Sequence, residues 1–178
     1  MIINSTIFSG DLNIPNRTNA NIQALIDLTI SEREPELLKE LFGYGMYKDF
    51  IAGLTTLTQR WVDLRDGKEY TVNGKLYEFV GVKKMIANYV WYYFMQAATT
   101  NTTGAGQVLP TTENGQVVGS LSKMVDSWNR MSNYVESMVH FLNNNEATYP
   151  EWQVVNTYYW DDWYNRLRFA SKINVFGI

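Results

Sequence analysis

The residues with the most obvious chemical potential lie toward the end of the chain. Asp161 and Asp162, with Glu151 nearby, invite comparison with the paired carboxylates that hydrolyse glycosides in an aromatic setting. Adjacent residues on a helix project about 100° apart, so the two aspartates do not converge on one atom. A solvated acidic helix face fits them better. His140 is the single histidine of the chain. It falls off the Val135, Met138 and Leu142 stripe, on a wet or interfacial face, with no carboxylate or serine at a telling spacing. One histidine cannot build a multi-histidine metal site, and the absence of cysteine removes thiolate zinc, iron–sulfur clusters, disulfides and cysteine nucleophiles. Gly43-Tyr44-Gly45 and Gly104-Ala105-Gly106 are close glycine pairs, but neither extends into a dinucleotide fingerprint or a Walker lysine motif. They read as turns. No catalytic residue, cofactor or metal site is expected, and the chain does not read as an enzyme.

The aromatic residues carry more information. They make up 15% of the chain, with 6 Trp and 12 Tyr. They cluster at Trp91-Tyr92-Tyr93-Phe94 and from Tyr158 to Tyr164. Such clusters either form core and subunit interface or stack sugars and bases. Each has rings on more than one helix face, and one domain of this size is not expected to bury them all. Surplus rings favour protein–protein contact. A net charge of −3 lacks the basic excess of a protein that coats nucleic acid. The first residues have no basic region followed by a long apolar stretch. The most apolar run, Met85 to Met95, is shorter than the ~20 residues of a membrane helix. Assembly inside a cell, without a membrane, is therefore expected.

The elements that would position these groups follow from periodicity. With 178 residues, 46% hydrophobic and 19% charged, the chain reads as one globular unit. The expected fold is mainly α: a bundle of about four to five helices over residues 19–171, a small β-hairpin at about 69–79, and extended arms at 1–18 and 172–178. Thr18 or Asn19 caps a helix from about Ala20, with Ile22, Leu25, Ile26 and Ile30 on its apolar face. Pro35 suits the first turn of a second helix, Glu34 to Phe42. Gly43 and Gly45 break the chain before a third, Met46 to Leu54. Residues 55–68 read as a connector carrying Trp61, Val62 and Leu64. Asn73-Gly74, between Tyr70-Thr71-Val72 and Lys75-Leu76-Tyr77, is a hairpin turn signal. Val82 to Ala98 is apolar nearly all round and so belongs at the centre. A Thr- and Gly-rich loop over 99–119, with a small hairpin at Glu113 to Gln116, precedes a helix from Ser120 or Ser122 to about Asn143. A last helix is expected from Gln153 to Ser171. Two apolar arms call for a partner surface, and strand or arm addition to a neighbour is one way to supply it.

Three segments in this order are familiar: Leu37-Leu38-Lys39-Glu40-Leu41-Phe42-Gly43-Tyr44-Gly45-Met46-Tyr47, then Lys83 through Phe94, then Thr102-Thr103-Gly104-Ala105-Gly106-Gln107-Val108. The layout over roughly 19–142 resembles the head-to-tail connector (adaptor) proteins of tailed bacteriophages. The likeness is nearest to those from phages of Bacteroidetes, including crAss-like phages, whose Asn-x-Phe-Gly-Ile endings resemble Asn174 to Ile178. The resemblance implies a helical virion protein of the neck. It would form a ring of twelve subunits below the portal, extend the DNA channel without sequence-specific binding, and contact the portal protein and adjacent neck or tail rings. The interface would then draw on Ile2, Ile3, Ile7 and Phe8 of the first arm, Gly104, Gly106 and Val108 of the loop, and Ile173, Val175, Phe176 and Ile178 of the second. The alternatives are a stopper or tail-completion ring, and an aromatic module binding carbohydrate or nucleic acid.

Overall fold

The computed structural model describes residues 1–99, 101–103, 106–108, 120–152 and 172–173. The fold is mainly α, with a two-stranded antiparallel hairpin between the second and third helices. The expected last helix, the Glu113–Gln116 turn, Gly104 and residues 174–178 lie outside the described residues.

Helix α1 runs Ala20–Thr55, and the Asn19 side chain caps it by accepting from Asn21 N at 3.0 Å and Ile22 N at 3.4 Å. Two breaks were expected within this span; one exists. Pro35 lies inside the helix rather than opening a new one. A proline there removes one backbone donor and crowds the preceding turn. Flanking side chains offset that, because Ile30, Glu34, Leu37 and Leu38 are all buried on either side. Gly43 does interrupt the helix, with φ 68° and ψ 164°, a conformation essentially confined to glycine. The kink sets Phe42 edge-on to Phe50 with centroids 5.6 Å apart.

Residues read as a connector hold a further helix, α2, Gln59–Asp66. Eight residues are too few for an isolated helix to persist in water. Burial of Trp61 and Leu64 at i, i+3 supplies the stability instead. Trp61 stacks edge-on between Phe50 (5.7 Å) and Tyr149 (5.7 Å). It lies so close to α1 that a Cβ on Gly53 would stand 1.7 Å from its indole.

Strands β1, Lys68–Val72, and β2, Lys75–Phe79, pair in the register Tyr70↔Tyr77 and Val72↔Lys75 around the Asn73-Gly74 turn. Asn73 and Gly74 have φ of 50° and 78°, as the dipeptide predicts for a tight turn. Tyr70, Tyr77 and Phe79 share one face. Phe79 stacks on Phe141 at 4.5 Å, and Tyr70 meets the same ring edge-on at 5.1 Å. The hairpin therefore rests on the fourth helix, as a lone two-stranded sheet requires.

Helix α3, Val82–Thr99, is the centre, packed against α1, α2 and α4 (Ser120–Asn143). Of the aromatics expected to overflow the core, Trp91 and Phe94 are buried and Tyr92 and Tyr93 half-buried, while Tyr158 to Tyr164 lie outside the described residues. Buried Asn88 fixes the register with α4: Ser127 Oγ donates to its carbonyl at 3.0 Å. Two short strands follow α3, β3 Asn101–Thr103 and β4 Gly106–Val108. Residues 1–18, expected as an extended arm, instead form two 3-10 turns and bury Ile3, Phe8 and Ile14 in the main core.

Two glycines of α1 test this packing with opposite signs. Gly53→Ala forces a methyl into Trp61 and is expected to cost about 2 kcal/mol or more. Gly45→Ala meets nothing within 4 Å and is expected to add about 0.5–1 kcal/mol. Urea denaturation of both variants beside the parent measures the difference.

Candidate functional site

Of the groups that looked chemical, Glu151 and His140 are committed to structure. Glu151 receives Arg60 through both guanidinium nitrogens, at 2.7 and 2.8 Å. Arg60 also donates to Thr148 O at 2.9 Å and lies over the Trp61 ring at 4.3 Å. Burial pushes the Glu151 carboxyl up, but the Arg60 bonds outweigh it and hold the group below the usual carboxylate range. That is the wrong direction for a general acid at neutral pH. Asp161 and Asp162 lie outside the described residues. His140 is exposed, as its place on α4 predicted. Its Nδ1 is 2.5 Å from the Tyr70 hydroxyl and its ring 5.1 Å from Tyr77, so it holds the hairpin against α4.

The candidate interface residues divide into four sets. Ile3 (4% exposed) and Phe8 (0%) serve the protomer's own core and have no surface to offer a neighbour. Ile2 and Ile7 are half-buried against that core. Gly106 and Val108 sit in β4, paired to Thr103 and Asn101. Ile173 is half-buried, while Gly104, Val175, Phe176 and Ile178 fall outside the described residues.

Three residues that spacing did not single out shape this surface. Glu34 is 5% exposed inside α1. Its carboxylate accepts from Ile2 N at 2.8 Å and Ile3 N at 3.0 Å and so ties the first segment to the helix. Of Glu32, Glu34 and Glu36, only Glu34 falls at i+4 from Ile30 and at i−3 and i−4 from Leu37 and Leu38, and that apolar face was the available signal, since a buried carboxylate needs a dedicated partner. Asn129 of α4 grips the backbone of Ile173 from both sides, donating to its carbonyl at 2.9 Å and accepting from its N–H at 2.8 Å. No sequence rule announces that contact. Leu57, in the turn between α1 and α2, is 69% exposed at a φ of 53°.

Clefts of modest size open on the described surface. One, of about 240 Å³, lies between the second 3-10 turn and α4, where Asp11 and Arg130 pair at 2.8 Å beside Lys123 and Asp126. Another, also about 240 Å³, is bounded by Met1, Ile2, Ile51, Leu54, Thr55 and Arg65. Among the described residues no group of three or more His, Asp or Glu is placed to hold a metal ion.

The Glu34 clasp has a pH signature. Burial raises its carboxyl above the ordinary carboxylate value, although the Ile3 and Ile2 N–H groups pull the other way. Between the ordinary and the raised value the folded chain holds a proton that the unfolded chain has released, so stability falls as pH rises through that window. Glu34→Gln, neutral throughout, is expected to flatten this slope. Glu34→Ala strands two backbone donors and is expected to cost about 2–4 kcal/mol. Thermal melts from pH 4 to 8 check both.

Residues 38–161 match the model of a family described as a family of unknown function, DUF6712. No curated protein and no solved structure matches the chain. The matched span takes in the kink at Gly43, α2, the hairpin, α3 and α4, well over half of the chain, and the chain belongs to this family.

Proposed function

We propose that the protein is a structural subunit of a phage neck, a head-to-tail connector of the adaptor class that assembles into a ring between portal and tail. The observation that carries this reading is the contrast between its polar and its apolar side chains. Among the described residues, the candidate groups Glu151 and His140 are engaged in holding elements together, as Arg60–Glu151 and Tyr70–His140 pairs. Leu25 (52% exposed) and Leu28 (54%), neighbours at i, i+3 on α1, face water side by side, and Leu57 (69%) does so just past the end of that helix. That distribution suits a building block better than an enzyme. The segments that resemble connectors support it from the side of sequence. They fall on the Gly43 kink, the central helix and the small β3–β4 pair. The α3 rings are engaged with one another and with Trp128, which weighs against an aromatic stacking platform on that helix.

Placement in the native source tests the reading. Lysate is separated on a density gradient and the fractions are quantified by mass spectrometry. The chain is expected to travel with DNA-filled particles at a low, fixed ratio to capsid protein. Residence only among small soluble proteins overturns it.

A further inference from the structure

The tip of the hairpin carries a reactive pair of residues. Asn73 and Gly74 are both exposed, and among the described residues no other asparagine precedes a glycine. An asparagine loses its side-chain nitrogen as ammonia when the next backbone nitrogen attacks Cγ. A Cβ on the attacking residue hinders that approach, and glycine has none. A Cβ on Gly74 would meet nothing within 4 Å, so its surroundings leave the nitrogen open as well. The last pair of the ladder is Val72↔Lys75, which encloses Asn73 and Gly74 alone. In such a two-residue turn the bonds run between the enclosing residues, and the Gly74 N–H takes no part in the ladder.

Attack requires Asn73 to leave its turn conformation, so the tip must open for the reaction. The way the hairpin is anchored permits that. Its ring contacts with His140 and Phe141 come from Tyr70, Tyr77 and Phe79, and the Tyr70↔Tyr77 pair is the outermost of them. Beyond that pair Thr71, Lys75 and Leu76 are exposed, and Val72 is half-buried outside the core cluster. Opening residues 71–76 therefore breaks few contacts and leaves the base of the hairpin on α4. We propose that Asn73 is a self-modifying site, which converts the hairpin tip to aspartyl and isoaspartyl forms. The Gly74 nitrogen bonds to Asn73 Cγ, the Cγ–Nδ2 bond breaks, and the Gly74 amide proton leaves with Nδ2 as ammonia. Water then opens the succinimide. Opening at Cγ gives aspartate, and opening at the Asn73 backbone carbonyl gives isoaspartate, with the chain running through Cγ. Either product adds a negative charge to a hairpin on which Glu69 and Glu78 are already opposed. Isoaspartate also lengthens the backbone by one carbon. The two-residue turn cannot absorb it, so the Val72↔Lys75 pair is lost while Tyr70 and Tyr77 keep their place on α4.

The full-length chain is incubated at mildly alkaline pH in heavy-oxygen water and digested in ordinary water. Trypsin cuts after Lys68 and Lys75, so Asn73 leaves in the peptide Glu69–Lys75. That separates it from the second Asn-Gly pair of the sequence, Asn114-Gly115, which lies outside the described residues. Heavy oxygen is expected to enter this peptide about tenfold or more faster than Thr18–Arg33, whose exposed Asn19 and Asn21 precede alanine and isoleucine. The rate in the folded chain is expected to lie within about thirtyfold of that in a synthetic Glu69–Lys75 peptide, since little holds the tip closed. Labelling no faster than at Asn19 and Asn21 overturns the proposal. So does greater protection than that in the folded chain, because the turn would then shield Asn73 from reaction. The proposal does not rest on the neck reading, and the density gradient tests that reading separately.

Discussion

A helix that is apolar on every side has no face to turn to water, and α3 imposes that constraint on the whole protein. Met85, Ile86, Ala87, Tyr89, Val90 and Trp91 are all buried, six positions that together circle the helix. Such a helix cannot be covered by one partner. α1 and α4 flank it, and α2 and the second 3-10 turn add to the cover. The single polar residue in the run, Asn88, takes the only form of burial open to it. Its amide donates to Lys84 O at 2.8 Å and its carbonyl accepts from buried Ser127. The Lys84 bond stays within α3, whereas a slip of α3 against α4 would strand the Ser127 hydroxyl, so one hydrogen-bonded contact marks the register of the largest interface in the fold.

The demand for cover explains where sequence reading succeeds and where it fails. The hairpin was legible because Asn73-Gly74 is a local signal: the turn needs positive φ, and those two residues accept it. The extent of α4 was legible because its apolar stripe is uninterrupted from Met124 to Leu142. Pro35 was misread because a local rule met a nonlocal benefit. The missing donor is one bond, whereas ending the helix would have removed the backbone that buries Leu37 and Leu38 beside α3. α2 was misread for the complementary reason. Its helicity comes from Trp61 lying against Gly53, Phe50 and Tyr149, contacts that appear only once the chain has folded.

The same logic governs the polar residues. Arg60 and Glu151, Tyr70 and His140, and Glu34 with the N–H groups of Ile2 and Ile3 each join segments far apart in the sequence. Read along the chain, these residues resemble candidates for chemistry. Read in space, each lies where a short element must be fastened to the bundle: α2 to the segment after α4, the hairpin to α4, the first residues to α1. Short elements bury too little apolar surface to stay in place alone, and directional bonds compensate.

Where a local rule is broken and the interior gains, as at Pro35, the fold itself accounts for the exception. Leu57 breaks a rule without such a gain. Its backbone adopts the glycine conformation and the cap of α1 is fully bonded, yet its side chain covers nothing within the protomer. Glu69 and Glu78 form a second case, directly opposed across the hairpin on the face turned away from α4, where like charges repel. Glu69 and Glu78 share a cleft with Lys68 and with Lys84 of α3, cations that moderate the repulsion, whereas nothing comparable accompanies Leu57. Consistency between local preference and global fold is the ordinary condition of a folded sequence, and a departure that no internal packing explains, as at Leu57, is where a strained or functional position is to be sought.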